Sequence, residues 1–145
     1  MRKKQKDFYE SFRNDMNDWL KSKGKNSKFS EYLMFAPDLF HLLCKLSFDD
    51  EVPAKEKAKL ATAIAYFISP ADLIPEALIG PAGYVDDIAI AAYVLNSIVN
   101  NTEPQVVKKH WVGEQDVLEV IRQILKVADK MIGSGLWDKI KKMVG

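Results

Sequence analysis

Four carboxylates, Asp72, Glu76, Asp86 and Asp87, stand in one short stretch, YFISPADLIPEALIGPAGYVDD, which runs from Tyr66 to Asp87. Carboxylate oxygens are the ligands that Mg²⁺ and Ca²⁺ prefer, so Asp72, Asp86 and Asp87 could hold a divalent cation if the bend brought them together. Two facts weigh against that. Adjacent residues on a helix point about 100° apart, so two neighbouring aspartates seldom face one ion, and the spacing of a calcium loop is absent. Hydrolysis through Ser69 would need a histidine and an orienting acid. His41 and His110 are the only histidines, both beside apolar stripes and remote from Ser69, so either would need the fold to supply a carboxylate. Cys44 lies within an apolar stripe and reads as a small buried hydrophobe rather than a nucleophile.

The same residues have a structural explanation. Ser69-Pro70-Ala71-Asp72 has the form of a helix start, in which the serine caps the Asp72 amide and Pro70 fills the first helical position. Pro75-Glu76 offers a second start a few residues on, and Gly80, Pro81 and Gly83 disfavour regular helix between them. Asp86 and Asp87 fall at the beginning of the next apolar run, where the helix dipole favours negative charge. Capping alone accounts for every carboxylate, and this reading ranks ahead of the metal site.

The elements that must position this bend all read as helix. Phe8, Phe12, Met16, Trp19 and Leu20 share one face of an amphipathic helix at about 4–22. A stripe of Tyr32, Leu33, Phe35, Leu39, Phe40, Leu42, Leu43 and Leu46 follows, with Pro37 near the start of its helix. Asp49, Asp50 and Pro53 mark the start of KEKAKLATAIAYFI. DIAIAAYVLNSIVN is apolar around nearly its whole circumference, as expected of a helix at the centre of a bundle or in a membrane. Thr102 with Gln105 fits a capping box around Pro104, predicting a short helix to about Trp111. After Gly113, EQDVLEVIRQILKVADKMI predicts an amphipathic helix ending at Gly133, and LWDKIKKMV a last short one. The expectation is a single all-α domain over 1–145, a compact helical bundle around a central apolar helical hairpin, with C-terminal helices at about 103–144.

The chain of 145 residues is 48% hydrophobic and 28% charged, and its net charge of +1 gives no global drive toward nucleic acid or anionic lipid. The basic runs RKKQK, KSKGKNSK and KIKK lack a recognition-helix or aromatic-platform pattern, so no specific nucleic-acid partner is expected. Cys44 is the only cysteine and no apolar leader follows the basic start, which points to the cytoplasm. Leu60–Ile68 and Ile88–Val99 could be arms of a membrane hairpin flanked by lysines, but each is well short of the roughly 20 residues a span requires. Peripheral membrane contact through the basic N-terminal helix is an alternative.

YFISPADLIPEALIGPAGYVDDIAIAAYVL resembles the signature of the YkvA-like family, a bacterial domain of unknown function (1232). Tyr66, Ser69, Pro70, Asp72, Leu73, Ile74 and Pro75 match the first half of that signature, and Gly83, Tyr84, Asp86 and Asp87 match the second. Glu76 and Pro81 take places comparable to an acid and a proline in the family's link, which here is alanine-rich and less regular. The resemblance covers about 55–100 and implies no settled activity. It implies that some relatives are membrane proteins. The function expected is therefore that of an unassigned, non-enzymatic interaction or accessory module. Its bend (Tyr66, Ser69, Pro70, Asp72, Pro75, Glu76, Gly83, Tyr84, Asp86, Asp87) would recognise a protein partner or a cationic ligand, without a cofactor beyond a divalent cation such as Mg²⁺ or Ca²⁺. The alternatives are a divalent-metal enzyme using Asp72, Asp86 and Asp87, and a membrane-associated regulator.

Overall fold

The computed structural model describes residues 3–22, 34–73, 85–132, 137–138 and 141–142. Among these are six helices and no strand: α1 Lys3–Ser22, α2 Ala36–Ser47, α3 Ala54–Leu73, α4 Val85–Asn101, α5 Pro104–Lys108 and α6 Val117–Ile132. The chain is an all-α bundle, as its periodicity implies.

α4 is the central strut. Ile88, Ala89, Ile90, Ala91, Ala92, Val94, Leu95 and Ile98 are all buried, because α2, α3, α5 and α6 each pack against a different side of it. Among its described side chains the open side is confined to the C-terminal half, where Tyr93, Asn96, Ser97 and Val99 are half-buried and Asn100 and Asn101 exposed, which is why its first half lacks a polar stripe. α3 lies antiparallel to α4 and buries Leu60, Ala63, Ile64 and Phe67. α6 presents Val117, Val120, Ile121, Ile124 and Ala128 to the same core.

α1 is pinned from outside by rings. Phe8 meets Phe40 of α2 at 4.8 Å between centroids, and Phe12 meets Phe67 of α3 at 6.1 Å. Phe40 and Phe67 close the cluster at 5.7 Å. Phe12 and Met16 are buried as their spacing predicts; the side chains of Trp19 and Leu20, and residues Tyr32 and Leu33, lie outside the described residues.

Three helix boundaries differ from the sequence expectation. α3 runs without a break to Leu73, so Ser69-Pro70-Ala71-Asp72 forms its last turn and does not start a new helix. Proline inside a helix removes one ladder bond, at a cost of about 3 kcal/mol. Here the burial of α3 against α2 and α4 outweighs the loss. Thr102 does not form a capping box: its hydroxyl donates to the Ile98 carbonyl at 2.6 Å, and α5 starts from Glu103 without a side-chain cap. The hydroxyl bonds back to the same Ile98 carbonyl that accepts the Thr102 amide at 2.9 Å, a local i−4 bond that competes with capping. α6 begins at Val117, and Asp116 caps it through its carboxylate on the Leu118 amide at 3.1 Å. No described helix is long and apolar enough to cross a membrane.

Candidate functional site

The α3–α4 hairpin has two ends. At one, α3 finishes at Leu73 and α4 starts at Val85, which places Asp86 and Asp87 by position in the first turn of α4. Pro75, Glu76, Gly83 and Tyr84 lie outside the described residues, as do the side chains of Tyr66, Ser69, Pro70, Asp72, Asp86 and Asp87. Whether the three aspartates converge therefore falls outside the described residues too.

The opposite end, about 30 Å away along the 20 residues of α3, carries a groove of mixed polar and apolar lining. Glu51 and Pro53 from the α2–α3 turn, Asn101 at the end of α4, and Glu103, Gln105 and Lys109 from α5 and its margins line it. Two networks flank this groove.

The first is built on Asp49. One carboxylate oxygen accepts the Glu51 amide at 2.8 Å, a local turn that shapes the connection into α3. The other lies 2.7 Å from His110 Nε2 and 3.0 Å from Lys109 Nζ. Lys109 also reaches Glu51 at 3.0 Å. Burial pushes the Asp49 carboxyl up, but the hydrogen bonds from His110, the Glu51 amide and Lys109 outweigh it and hold it far below the usual carboxylate range. Hydrogen bonds to Asp49 and Glu51 raise Lys109 in turn.

The second network is built on Glu56, the one charged side chain among the buried described residues. It accepts from Ser97 Oγ at 3.0 Å and from Asn101 Nδ2 at 3.2 Å, and Lys59 Nζ stands 3.7 Å away. Lys59 also donates to Ser97 Oγ at 3.2 Å. The network ties the start of α3 to the end of α4.

The Asp49–His110 pair has the geometry of an orienting carboxylate and a base. Its surroundings make it a clamp instead. Both Asp49 oxygens are occupied, the Thr102 hydroxyl is turned to Ile98, and Cys44 is buried with its thiol pushed up to about 12 by that burial. Among the described residues no group of three or more His, Cys, Asp or Glu side chains is placed to hold a metal ion.

Sequence reasoning read Asp49 only as part of a helix start, and Lys109 only as a basic flank. The 61-residue separation of Asp49 from His110 leaves no local trace. Glu56 did leave one, because it occupies the position on α3 that continues the buried line of Leu60, Ala63 and Phe67.

Residues 56–93 match the family described as "Protein of unknown function (DUF1232)". The chain is also similar to "Uncharacterized protein ORF9" of Methanothermobacter thermautotrophicus, 24% identical over 107 residues that cover 74% of this chain and 73% of that protein. No solved structure matches it. The matched segment takes in most of α3, the bend and the first half of α4, and over that segment the chain is similar to a family whose function is unknown.

Proposed function

We propose that this chain is a non-enzymatic helical interaction module whose bend, from Ser69 to Asp87, recognises a basic protein segment or another cationic ligand. The observation that carries this reading is the setting of α4. It is packed against α2, α3, α5 and α6, and Asp86 and Asp87 belong to its first turn. A backbone held by four packed neighbours offers a fixed base for two acids, which limits the backbone ordering cost of binding. The ionised groups at the groove end, by contrast, are already paired with one another. A divalent cation at Asp72, Asp86 and Asp87 is the alternative ligand of the same surface. A buried lone Cys44 fits a reducing compartment, and the cytoplasm is the proposed location. Peripheral membrane contact would have to be electrostatic, through Lys3, Lys4 and Lys6, because the apolar face of α1 is turned to the core.

The test is an amide NMR titration of the full chain with a lysine-rich peptide and, separately, with Mg²⁺ and Ca²⁺. Saturable shifts within residues 69–87, lost in Asp86→Asn/Asp87→Asn, support the reading, and the active titrant identifies the ligand class. No shifts with any titrant, or shifts confined to the Glu51–Lys109 groove, refute it.

A further inference from the structure

α1 lies on the outside of the bundle, and its seat on α2 contains a polar atom with no partner. His41 Nδ1 is buried and makes no hydrogen bond. The ring is covered by Tyr9 of α1, 5.0 Å away between centroids and inclined at 53°. The charged groups around this contact come from each side. On α1, Tyr9 donates a long 3.4 Å bond to Asp38 Oδ1; burial raises both Tyr9 and Asp38, with the nearby Arg13 opposing it. On α2, Asp38 is thus engaged by α1, and Lys45 is a positive neighbour one turn beyond His41. Across the bundle, His110 is held by Asp49.

A neutral imidazole can leave one nitrogen bare, so an unpartnered Nδ1 is tolerable. The imidazolium makes both nitrogens donors. Protonation would then bury an N–H that faces no acceptor, together with a charge that Lys45 and His110 repel. Tyr9 packs on this ring from α1, so undocking α1 would open the ring on that side and relieve the penalty.

We propose that His41 is a proton-operated latch for α1: the helix docks on α2 while His41 is neutral, and its docking weakens when His41 takes up a proton. The sign follows from the lowered proton affinity of the docked state, set first by burial and then by positive neighbours that include Lys45 and His110. The docked state binds fewer protons than the released one, so docking is strongest at high pH and weakens as pH falls through the ordinary histidine value of 6.5. Asp38 is shifted upward by burial and acts with the opposite sign, but from an ordinary value of 3.8, below this window. Between pH 7.5 and 5.5 a released histidine goes from mostly neutral to roughly ten-to-one protonated, which limits the change in the docking equilibrium to about tenfold. Release would uncover Phe8, Phe12, Phe40 and Phe67 together.

Hydrogen exchange on the full chain tests the latch, with rates corrected for the intrinsic effect of pH. Amides between Phe8 and Met16 should lose several-fold, and at most about tenfold, protection from pH 7.5 to 5.5, while amides of Ile90–Ile98 keep theirs. His41→Gln should abolish the difference. Unchanged α1 protection, an equal loss in α4, or a pH response that survives in His41→Gln each overturn the proposal. If His41→Gln fails to fold, NMR titration of both histidines in the unmodified chain decides. α1 shifts that track His41 support the latch, and α1 shifts that track His110, or none, overturn it.

Discussion

Replacing Glu56 by alanine should destabilise the bundle far more than replacing Glu51, although both carboxylates touch lysines at the same end of the hairpin. Glu56 is 3% exposed and accepts hydrogen bonds from Ser97 and Asn101, with Lys59 close by. Hydrogen bonds to a charged group contribute about 1.5–3 kcal/mol each, and breaking a fully buried ion pair costs about 3–5 kcal/mol. The actual figure should be lower than their sum. Asn101 Nδ2 keeps the Ser97 carbonyl at 2.8 Å, Lys59 keeps Ser97 Oγ, and the lysine side chain is 16% exposed and can turn to water. A loss of about 2–4 kcal/mol follows. Glu51 is 63% exposed and leaves Lys109 still bonded to Asp49, so its replacement should cost less than about 0.5 kcal/mol.

Urea unfolding of the two variants, followed by far-ultraviolet circular dichroism, measures both. A double-mutant cycle between Glu56→Ala and Ser97→Ala should show a coupling of about 1 kcal/mol. If Glu56→Ala falls within 0.5 kcal/mol of the parent, or costs no more than Glu51→Ala, the clasp between α3 and α4 does not hold the hairpin as argued.

Phe67, fully buried between Phe12 and Phe40, should cost about 3–5 kcal/mol on truncation to alanine, and denaturant unfolding would show it. Cys44, buried with its thiol pushed up to about 12, should resist iodoacetamide at pH 8 in the folded chain and react on adding urea; rapid labelling of the native protein would contradict its burial. A methyl group on Gly113 would come within 2.6 Å of Trp111 Cε2, in a ring anchored by its own N–H on the Gln115 carbonyl at 2.7 Å. Gly113→Ala should therefore lower stability by about 1–3 kcal/mol, read from thermal melts. Asp49 has its pKa lowered in the fold, so it binds fewer protons folded than unfolded. Its stabilisation should be complete above the ordinary carboxylate value of 3.8 and fade as pH falls below it. Asp49→Asn should accordingly narrow its gap to the parent between pH 6 and pH 3 in urea titrations.

What could be read in the chain beforehand divides by the range of the interaction. The apolar circumference of α4 implied a central helix, and α2, α3, α5 and α6 all pack against it. The Phe8, Phe12, Met16 stripe implied a buried face, and Phe12 and Met16 are buried with Phe8 half-buried beside them. Periodicity reports such things because every residue of a helix face meets the same neighbour. Local signatures failed where a competing partner came from elsewhere. Ser69-Pro70-Ala71-Asp72 has the spacing of a helix start, yet α3 is held by α2 and α4 and continues through it. Thr102 has the residue type of a cap, yet its hydroxyl bonds back to the Ile98 carbonyl, one turn before it. The Asp49–Lys109–His110 clamp joins segments about 60 residues apart, and no spacing rule encodes that. Glu56 is the instructive case, since a carboxylate in line with Leu60, Ala63 and Phe67 requires a buried partner, and the sequence alone could have raised that question.

The extent of the family match sharpens where function should be sought. It begins at residue 56 and ends at 93, so it takes in both arms of the hairpin at the bend but only part of the opposite end. Glu56 lies inside the match, whereas Ser97 and Asn101, which hold it, and Asp49, Lys109 and His110, which flank the groove, lie outside. The two ends are thus distinct in kind. The groove end joins α2, α3, α4 and α5 through groups that satisfy one another, which is the behaviour of a fastening. The bend end falls wholly within the shared segment and carries acids at the start of the central helix α4. Binding site and fastening predict opposite responses to neutral substitution. Asp86→Asn should leave stability within about 1 kcal/mol, the scale of a first-turn dipole contact, while removing ligand shifts. Glu56→Gln should lower stability and leave those shifts in place. Circular dichroism and NMR titration of the two variants side by side would show whether the division holds, and a reversed pattern would assign recognition to the groove.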